Sequence, residues 1–170
     1  MTDSTMQRGQ QWLESLLQLA GVGALVKATQ EESASKSSGE QVNYWLTIDE
    51  TNLSAEQIEN LIGDRGAVLD GMQYLANATL NLSQDQQAFY TIELNGYRAK
   101  RQIELQEIAQ EAAEKVLSSG EEVEIKSLSS AERRQIHTIL QDYQELETFS
   151  KGKEPHRHLV VRRLQPPAGE

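Results

Sequence analysis

The chain contains no cysteine among its 170 residues. A disulfide framework and a thiolate zinc site are therefore excluded, and a reducing compartment is the expected location. Long apolar runs are also missing, since none approaches the roughly 20 residues that cross a bilayer. The N-terminal stretch MTDSTMQRGQQWLESLL lacks the continuous apolar segment of a secretion signal. We therefore expect a cytoplasmic protein without a membrane span.

Motifs of catalysis are missing as well. The sequence has neither the G-x-S-x-G of a nucleophile elbow nor the G-x-x-x-x-G-K-[ST] of a phosphate-binding loop. His156 and His158 alternate in a spacing that can ligate zinc, with His137 as a conceivable third ligand. No nearby Asp completes a second shell for such a site. We predict no catalytic residue, no metal and no cofactor.

Positive charge is scarce, and the formal net charge is −10. Because non-specific affinity for nucleic acid comes from Lys and Arg neutralising phosphates, this balance argues against nucleic acid as a ligand of the whole surface. The cations are unevenly spread, however. They concentrate at Arg98, Lys100 and Arg101, at Arg133 and Arg134, and in KGKEPHRHLVVRR. A local basic stripe can still bind, with weak long-range steering.

The apolar and turn patterns predict two small modules. Helical spacing in QQWLESLLQLAG is followed by two β-like runs, ALVKAT and VNYWLTID, which we expect to pair antiparallel around a flexible loop, EESASKSSGE. Capping-box patterns at Ser54/Gln57 and Ser129/Glu132 open two further helices. The complete order is helix, strand, strand, helix, helix, strand, then helix, strand, helix, strand, strand. This predicts an α+β fold whose modules meet near residue 96, with a disordered tail at 165–170.

Gly63-Asp64-Arg65-Gly66 lies between two short apolar helices. One interpretation is a tight turn in which glycine supplies backbone freedom. The other is the loop of a KH fold, where the glycines let a nucleic-acid backbone approach an adjacent groove. The pattern alone does not choose between them.

Several motifs that occur together in one order favour the KH-loop interpretation. The segments LIGDRGAVLDGMQYLANATLN and GYRAKR, then SAERRQIH and TFSKGKEPHR, resemble the Jag family of bacterial RNA-binding proteins. The resemblance covers most of residues 53–163. It implies a type II KH domain at 8–96, then an R-x-x-x-H domain at 97–164, which binds single-stranded nucleic acid and is named for an Arg and a His separated by three residues. Many members carry an extra N-terminal domain, which we expect this chain to lack.

The resemblance and the cation clusters together predict the RNA-binding residues: Ile62, Gly63, Asp64, Arg65, Gly66, Val68, Arg98, Arg101, Arg133, Arg134, His137, Lys151 and Arg157. Structural alternatives stay open. Arg133 could pair with Glu132 or with a neighbouring strand, His137 could be a satisfied histidine, and the last cations could form a solvated face. Asp64 departs from the family, whose members often carry two basic residues in this loop. We further expect that Asp at both glycines leaves the fold largely intact.

The predicted function is binding of single-stranded RNA in post-transcriptional regulation, with single-stranded DNA as a second candidate ligand. The resemblance also implies pairing with a small KH-only protein. The competing hypothesis is an interaction adaptor that uses its KH surface for dimerisation and has little RNA affinity, which Asp64 and the net charge favour. Of the aromatic residues proposed as base-stacking platforms, Trp12, Tyr44, Trp45 and Tyr97, three are expected in the core.

Overall fold

A computed structural model describes residues 4–31, 42–82 and 87–164. The chain divides into two compact units, Met1–Arg98 and Ala99–Glu170. The flexible hairpin loop predicted at 31–40 lies, except for its first residue, outside the described residues, and so does the tail predicted to be disordered. None of the described helices is both long and apolar enough to span a membrane.

The first unit has the predicted order of elements. They are α1 (Ser4–Leu19), β1 (Val26–Gln30), β2 (Val42–Ile48), α2 (Ala55–Ile62), a 3₁₀ turn (Asp64–Gly66), α3 (Ala67–Leu80) and β3 (Ala88–Leu94). The sheet order is β1-β2-β3. As predicted, β1 and β2 pair antiparallel, and β3 joins β2 in parallel. Ser54 caps α2 in the predicted capping box with Gln57.

Helix α1 begins at Ser4, earlier than its apolar pattern indicates. Its first turns are polar and contain Gly9, so the sequence offers little sign of helix there. Gly9 faces the ring of Tyr90, where an added Cβ would lie 2.5 Å from the ring. The Tyr90 hydroxyl donates to the Thr5 carbonyl at 3.1 Å. Close packing on Tyr90 therefore extends the helix beyond its amphipathic part.

The outer edge of β3 is closed by side chains of α3. The Asn77 amide exchanges two hydrogen bonds with the backbone of Tyr90, at 2.8 and 2.9 Å. Asn81 does the same with Ala88, at 2.8 and 2.9 Å, and Gln73 accepts from the Ile92 N–H at 3.0 Å. These residues recur every four positions, so they form one row along the helix. The row satisfies backbone groups that an edge strand would otherwise leave open to pairing.

The second unit is built on a three-stranded sheet. Its elements are α4 (Tyr97–Ser119), which begins at the end of the first unit, β4 (Val123–Ile125), α5 (Ser130–Leu140), β5 (Leu146–Lys151) and β6 (His158–Arg163). The sheet order is β4-β6-β5, with both pairs antiparallel. The core joins apolar residues of α4 and α5 to one face of this sheet. The predicted α+β class and the helix-strand-helix-strand-strand order are confirmed.

Helix α5 begins where its sequence indicates. The Ser129 hydroxyl accepts from the Glu132 N–H at 3.2 Å, and the Glu132 carboxylate accepts from the Ser129 N–H at 2.8 Å. Glu132 also accepts from Arg101 Nε at 2.7 Å, with both side chains mostly buried. The cap therefore sets the first turn of α5 and ties it to α4, which places the residues that follow in a defined direction.

Candidate nucleic-acid interface

The predicted residues of the first unit gather at the 3₁₀ turn between α2 and α3. Gly63, Arg65 and Gly66 have φ of 73°, 51° and 81°, in the left-handed region that favours glycine. Val68 is exposed just beyond the turn, whereas Ile62 is half-buried against the core. The loop therefore places backbone at the surface with an aliphatic side chain beside it.

Both glycines are also required by packing. A Cβ at Gly63 would lie 2.9 Å from the Val68 backbone nitrogen, and one at Gly66 would lie 2.5 Å from the Tyr97 ring. Our expectation that Asp at both positions leaves the fold largely intact is therefore wrong, because side chains would meet backbone and a packed ring. The turn interpretation and the binding interpretation are both compatible with this loop.

The charges of the loop neutralise each other. Arg65 Nη2 donates to Asp64 Oδ2 at 2.8 Å, and both side chains are largely exposed. Helix α3 has Gly66 at its N-cap and no side-chain hydrogen bond there, so Asp64 does not cap it. Asp64 thus holds the cation that a phosphate would need, in addition to repelling the phosphate directly.

Arg98 is held inside the first unit. Its Nη1 donates to Asp70 at 2.8 Å, its Nη2 to Gln73 at 3.1 Å, and its Nε to the Ile92 carbonyl at 3.0 Å. The side chain therefore continues the row of Gln73, Asn77 and Asn81 along β3. Its assignment to RNA stays a prediction, and the contacts it already makes are structural.

Four of the predicted residues of the second unit line a cavity of about 510 Å³, here called the α5–β5 cavity. Arg133, Arg134 and His137 of α5 line it, with Arg157 from the segment before β6. The helical spacing and the last strand pair therefore bring four of the predicted residues together. The other two predicted residues do not line the cavity. Lys151 is the last residue of β5, and Arg101 pairs with Glu104 and Glu132. The rest of the lining is Ser130, Thr148, Phe149, Ser150, Glu154 and Leu159.

Arg133 and its neighbour Arg134 have different environments. The Arg133 side chain is 5% exposed and donates to the carbonyls of Leu128, at 2.8 Å, and Arg157, at 3.2 Å. Its other Nη atom pairs with Glu154. Arg133 does not pair with Glu132, one of the two predicted alternatives, because Glu132 pairs with Arg101. Arg133 thus joins the start of α5 to the segment between β5 and β6.

The other basic side chains of the cavity, Arg134, His137 and Arg157, are exposed to solvent. Arg134 and Arg157 are exposed, and neither forms an ion pair with a residue that the structure describes. His137 is exposed too, and its Nδ1 shares a hydrogen bond with the Thr148 hydroxyl. Glu154, the carboxylate of this lining, is engaged by Arg133. The cavity therefore presents uncompensated positive charge, which suits an anionic ligand such as a phosphodiester.

Two residues of this region were missed by the sequence interpretation. Glu154 was not identified as the partner of Arg133, because an ion pair between residues 21 apart has no local pattern. Phe149 was passed over in favour of other aromatic residues, although it is 38% exposed and lines the cavity. Tyr44 lies in the core, and Trp12 and Tyr97 pack against it, as predicted for three of the four.

The described residues contain no group of three or more His, Asp or Glu side chains able to hold a metal ion.

Residues 103–163, which include the whole cavity, match the R-x-x-x-H domain family, named for an arginine and a histidine separated by three residues. The chain is also 34% identical to the RNA-binding protein KhpB of Clostridium symbiosum over 110 residues, 65% of this chain and 50% of that protein. The resemblance to the Jag family is confirmed.

Two other relatives of the same name match a similar length of the chain. KhpB of Bacillus subtilis (strain 168) is 31% identical over 112 residues, 65% of this chain and 54% of the relative. KhpB of Streptococcus pneumoniae serotype 2 (strain D39 / NCTC 7466) is 35% identical over 101 residues, 59% of this chain and 31% of the relative. The matched region thus spans about half of the first two relatives' length. The R-x-x-x-H domain accounts for the second unit, and Arg133 and His137 stand at the spacing of the pair that names it.

Proposed function

We propose that this chain is a non-catalytic, cytoplasmic protein that binds single-stranded RNA through its α5–β5 cavity and acts in post-transcriptional regulation. The observation that carries the proposal is the set of Arg134, His137 and Arg157 around one cavity without a carboxylate partner among the described residues. The name that the relatives share, RNA-binding protein, supports the choice of ligand. Single-stranded DNA is the second candidate.

The roles divide within the cavity. Arg134 and Arg157 bind phosphates, since each is exposed and makes no ion pair within the described part of the chain. His137, oriented by Thr148, supplies a further polar contact. Arg133 holds the segment that carries Arg157 in place. In the first unit, the loop at Gly63–Gly66 is an auxiliary contact, weakened because Asp64 binds Arg65.

Fluorescence anisotropy with a labelled random single-stranded RNA tests this proposal. We expect Arg134→Ala and Arg157→Ala to weaken binding, and each to shallow the log-log salt slope by up to about 0.7 for one lost phosphate contact. Lys115→Ala is the matched control, because it removes an exposed cation of α4 that does not line the cavity. Equal losses in all three variants would refute a cavity-centred site.

A second candidate function, as an interaction adaptor, is favoured by the surface of α3. Val68, Tyr74 and Leu75 are exposed there, Tyr74 at 73%. Val68 and Leu75 are seven positions apart and share one face of the helix, and Tyr74 lies beside that face. Such a patch of exposed apolar side chains is typical of a contact surface. The partner in this proposal is a small KH-only protein or a second copy of the chain. Sedimentation of the wild type and of Leu75→Asp with and without that partner distinguishes this function, since RNA affinity at the cavity should be unaffected.

A further inference from the structure

Phe149 and Arg162 form a paired surface on the sheet of the second unit. The Arg162 guanidinium carbon lies 4.9 Å from the centre of the Phe149 ring, within the range of a cation–π contact. Arg162 Nε also donates to Glu147 Oε1 at 2.6 Å, which fixes the guanidinium. An exposed aromatic ring and a planar cation are therefore held together on neighbouring strands.

The strand register defines the face on which this pair lies. Phe149 is opposite Val160, and Glu147 is opposite Arg162. Because side chains alternate along a strand, these residues share the face opposite Leu146 and Thr148. Leu146 belongs to the core with α4 and α5, and Thr148 contacts His137 of α5. Phe149 and Arg162 therefore lie on the face of the sheet turned away from the helices of this unit.

Strand β5 separates the cavity from this outer face. It is an edge strand in the order β4-β6-β5, and its residues Thr148, Phe149 and Ser150 all line the cavity. A chain that leaves the cavity over this edge meets Phe149 first. Lys151 lies two positions after Phe149 on the same strand and adds an exposed cation beside it, since residues two apart share a face.

We propose that Phe149 and Arg162 form a base-stacking platform that receives a nucleotide of the same RNA strand as it leaves the cavity. This inference rests on the proposed function of the cavity and extends it to the opposite side of β5. Aromatic rings and guanidinium planes both stack on unpaired bases, whichever base is present. The occupant is RNA, because the pair is continuous with the cationic cavity and is flanked by a further Lys.

The test compares two ligands and three variants in the full chain. The ligands are a single-stranded RNA and an abasic strand of equal length, which keeps the phosphates and lacks the bases. Phe149→Leu preserves an apolar side chain and removes the π face, and Phe149→Trp enlarges that face. Phe89→Leu is the matched control, since Phe89 is the other phenylalanine and is also exposed on a strand. Thermal unfolding checks that each variant is folded.

We expect Phe149→Leu to weaken binding of the RNA roughly fivefold or more and to leave the abasic strand unaffected, because one stacked base is lost. Phe149→Trp should bind the RNA at least as tightly as the wild type, and Phe89→Leu should equal the wild type. Equal RNA affinity in Phe149→Leu and the wild type would overturn the platform while leaving the cavity intact. Failure of the wild type to bind RNA would overturn the proposed function together with the platform.

Discussion

Arg133 offers the sharpest test of how the α5–β5 cavity is built. Its buried guanidinium donates to two carbonyls and to Glu154. Arg133→Ala leaves the buried carbonyl of Leu128 without this donor, which costs about 1–3 kcal/mol, whereas the carbonyl of Arg157 is only partly buried and can be rehydrated. Glu154 is 62% exposed and is rehydrated when released, so its ion pair adds little. We expect a loss of about 1–3 kcal/mol in the free energy of unfolding of the second unit, mainly from the Leu128 carbonyl.

Arg133→Lys separates positioning from charge. A lysine keeps the positive charge but lacks the planar fork that reaches several acceptors at once. If Arg133 acts by holding the segment that carries Arg157, the lysine variant should lose most of the stability and RNA affinity that the alanine variant loses. If Arg133 binds phosphate directly, the lysine variant should retain most of the affinity. Arg134→Lys is the control, since Arg134 is exposed and its replacement should change stability by less than about 0.5 kcal/mol.

The two units permit separate measurements. Trp12 and Trp45 are the two tryptophans of the chain and both lie in the first unit, so their fluorescence reports unfolding there. Hydrogen exchange of residues 152–158 reports the segment that Arg133 holds. Faster exchange there, with unchanged tryptophan fluorescence, is the expected result. An Arg133→Ala protein with wild-type exchange and wild-type stability, but weaker RNA binding, would refute the positioning role.

Two further predictions concern the first unit. Asn77→Ala removes both hydrogen bonds to Tyr90 and should lower the free energy of unfolding by about 2 kcal/mol in urea titrations followed by tryptophan fluorescence, whereas Thr79→Ala, on the exposed side of α3, should change it little. Asp64→Asn releases Arg65 and removes a repulsive charge, so RNA binding should tighten by about 1 kcal/mol at low salt. An unchanged affinity in that variant would show that the loop does not contact phosphate.

The order of elements was predictable because each has a local signal. Ser54 and Ser129 mark helix starts through capping boxes, and both form as the pattern indicates. Alternating apolar residues marked the strands of both sheets. The row of Gln73, Asn77 and Asn81 was not predicted, because polar residues at helical spacing are typical of any solvated helix face. Its function depends on β3, which no property of α3 alone reveals.

The candidate site was predictable in its location and less so in its roles. Helical spacing put Arg133 and His137 on one face, and both line the cavity. Spacing cannot tell which arginine has internal partners, since these come from distant segments: Asp70 for Arg98, Glu132 for Arg101 and Glu154 for Arg133. Arg133 thus belongs to the pair that names the domain, yet its donors are already used by internal partners. In the proposed function, the exposed neighbour Arg134 carries the charge that the RNA meets.

The acidity of the chain and a nucleic-acid function are compatible because carboxylates are used locally. Among the described residues, six carboxylates each engage an arginine within their own unit: Asp64, Asp70, Glu104, Glu132, Glu147 and Glu154. These pairs neutralise the charge of their guanidinium groups, whereas the planar face of Arg162 stays beside the Phe149 ring. Arg134 and Arg157 form no such pair with any described residue, and both line the cavity between α5 and the segment before β6. In the proposed function, the net charge weakens the long-range attraction of RNA, whereas affinity at short range depends on these few cations and on the segment that Arg133 binds.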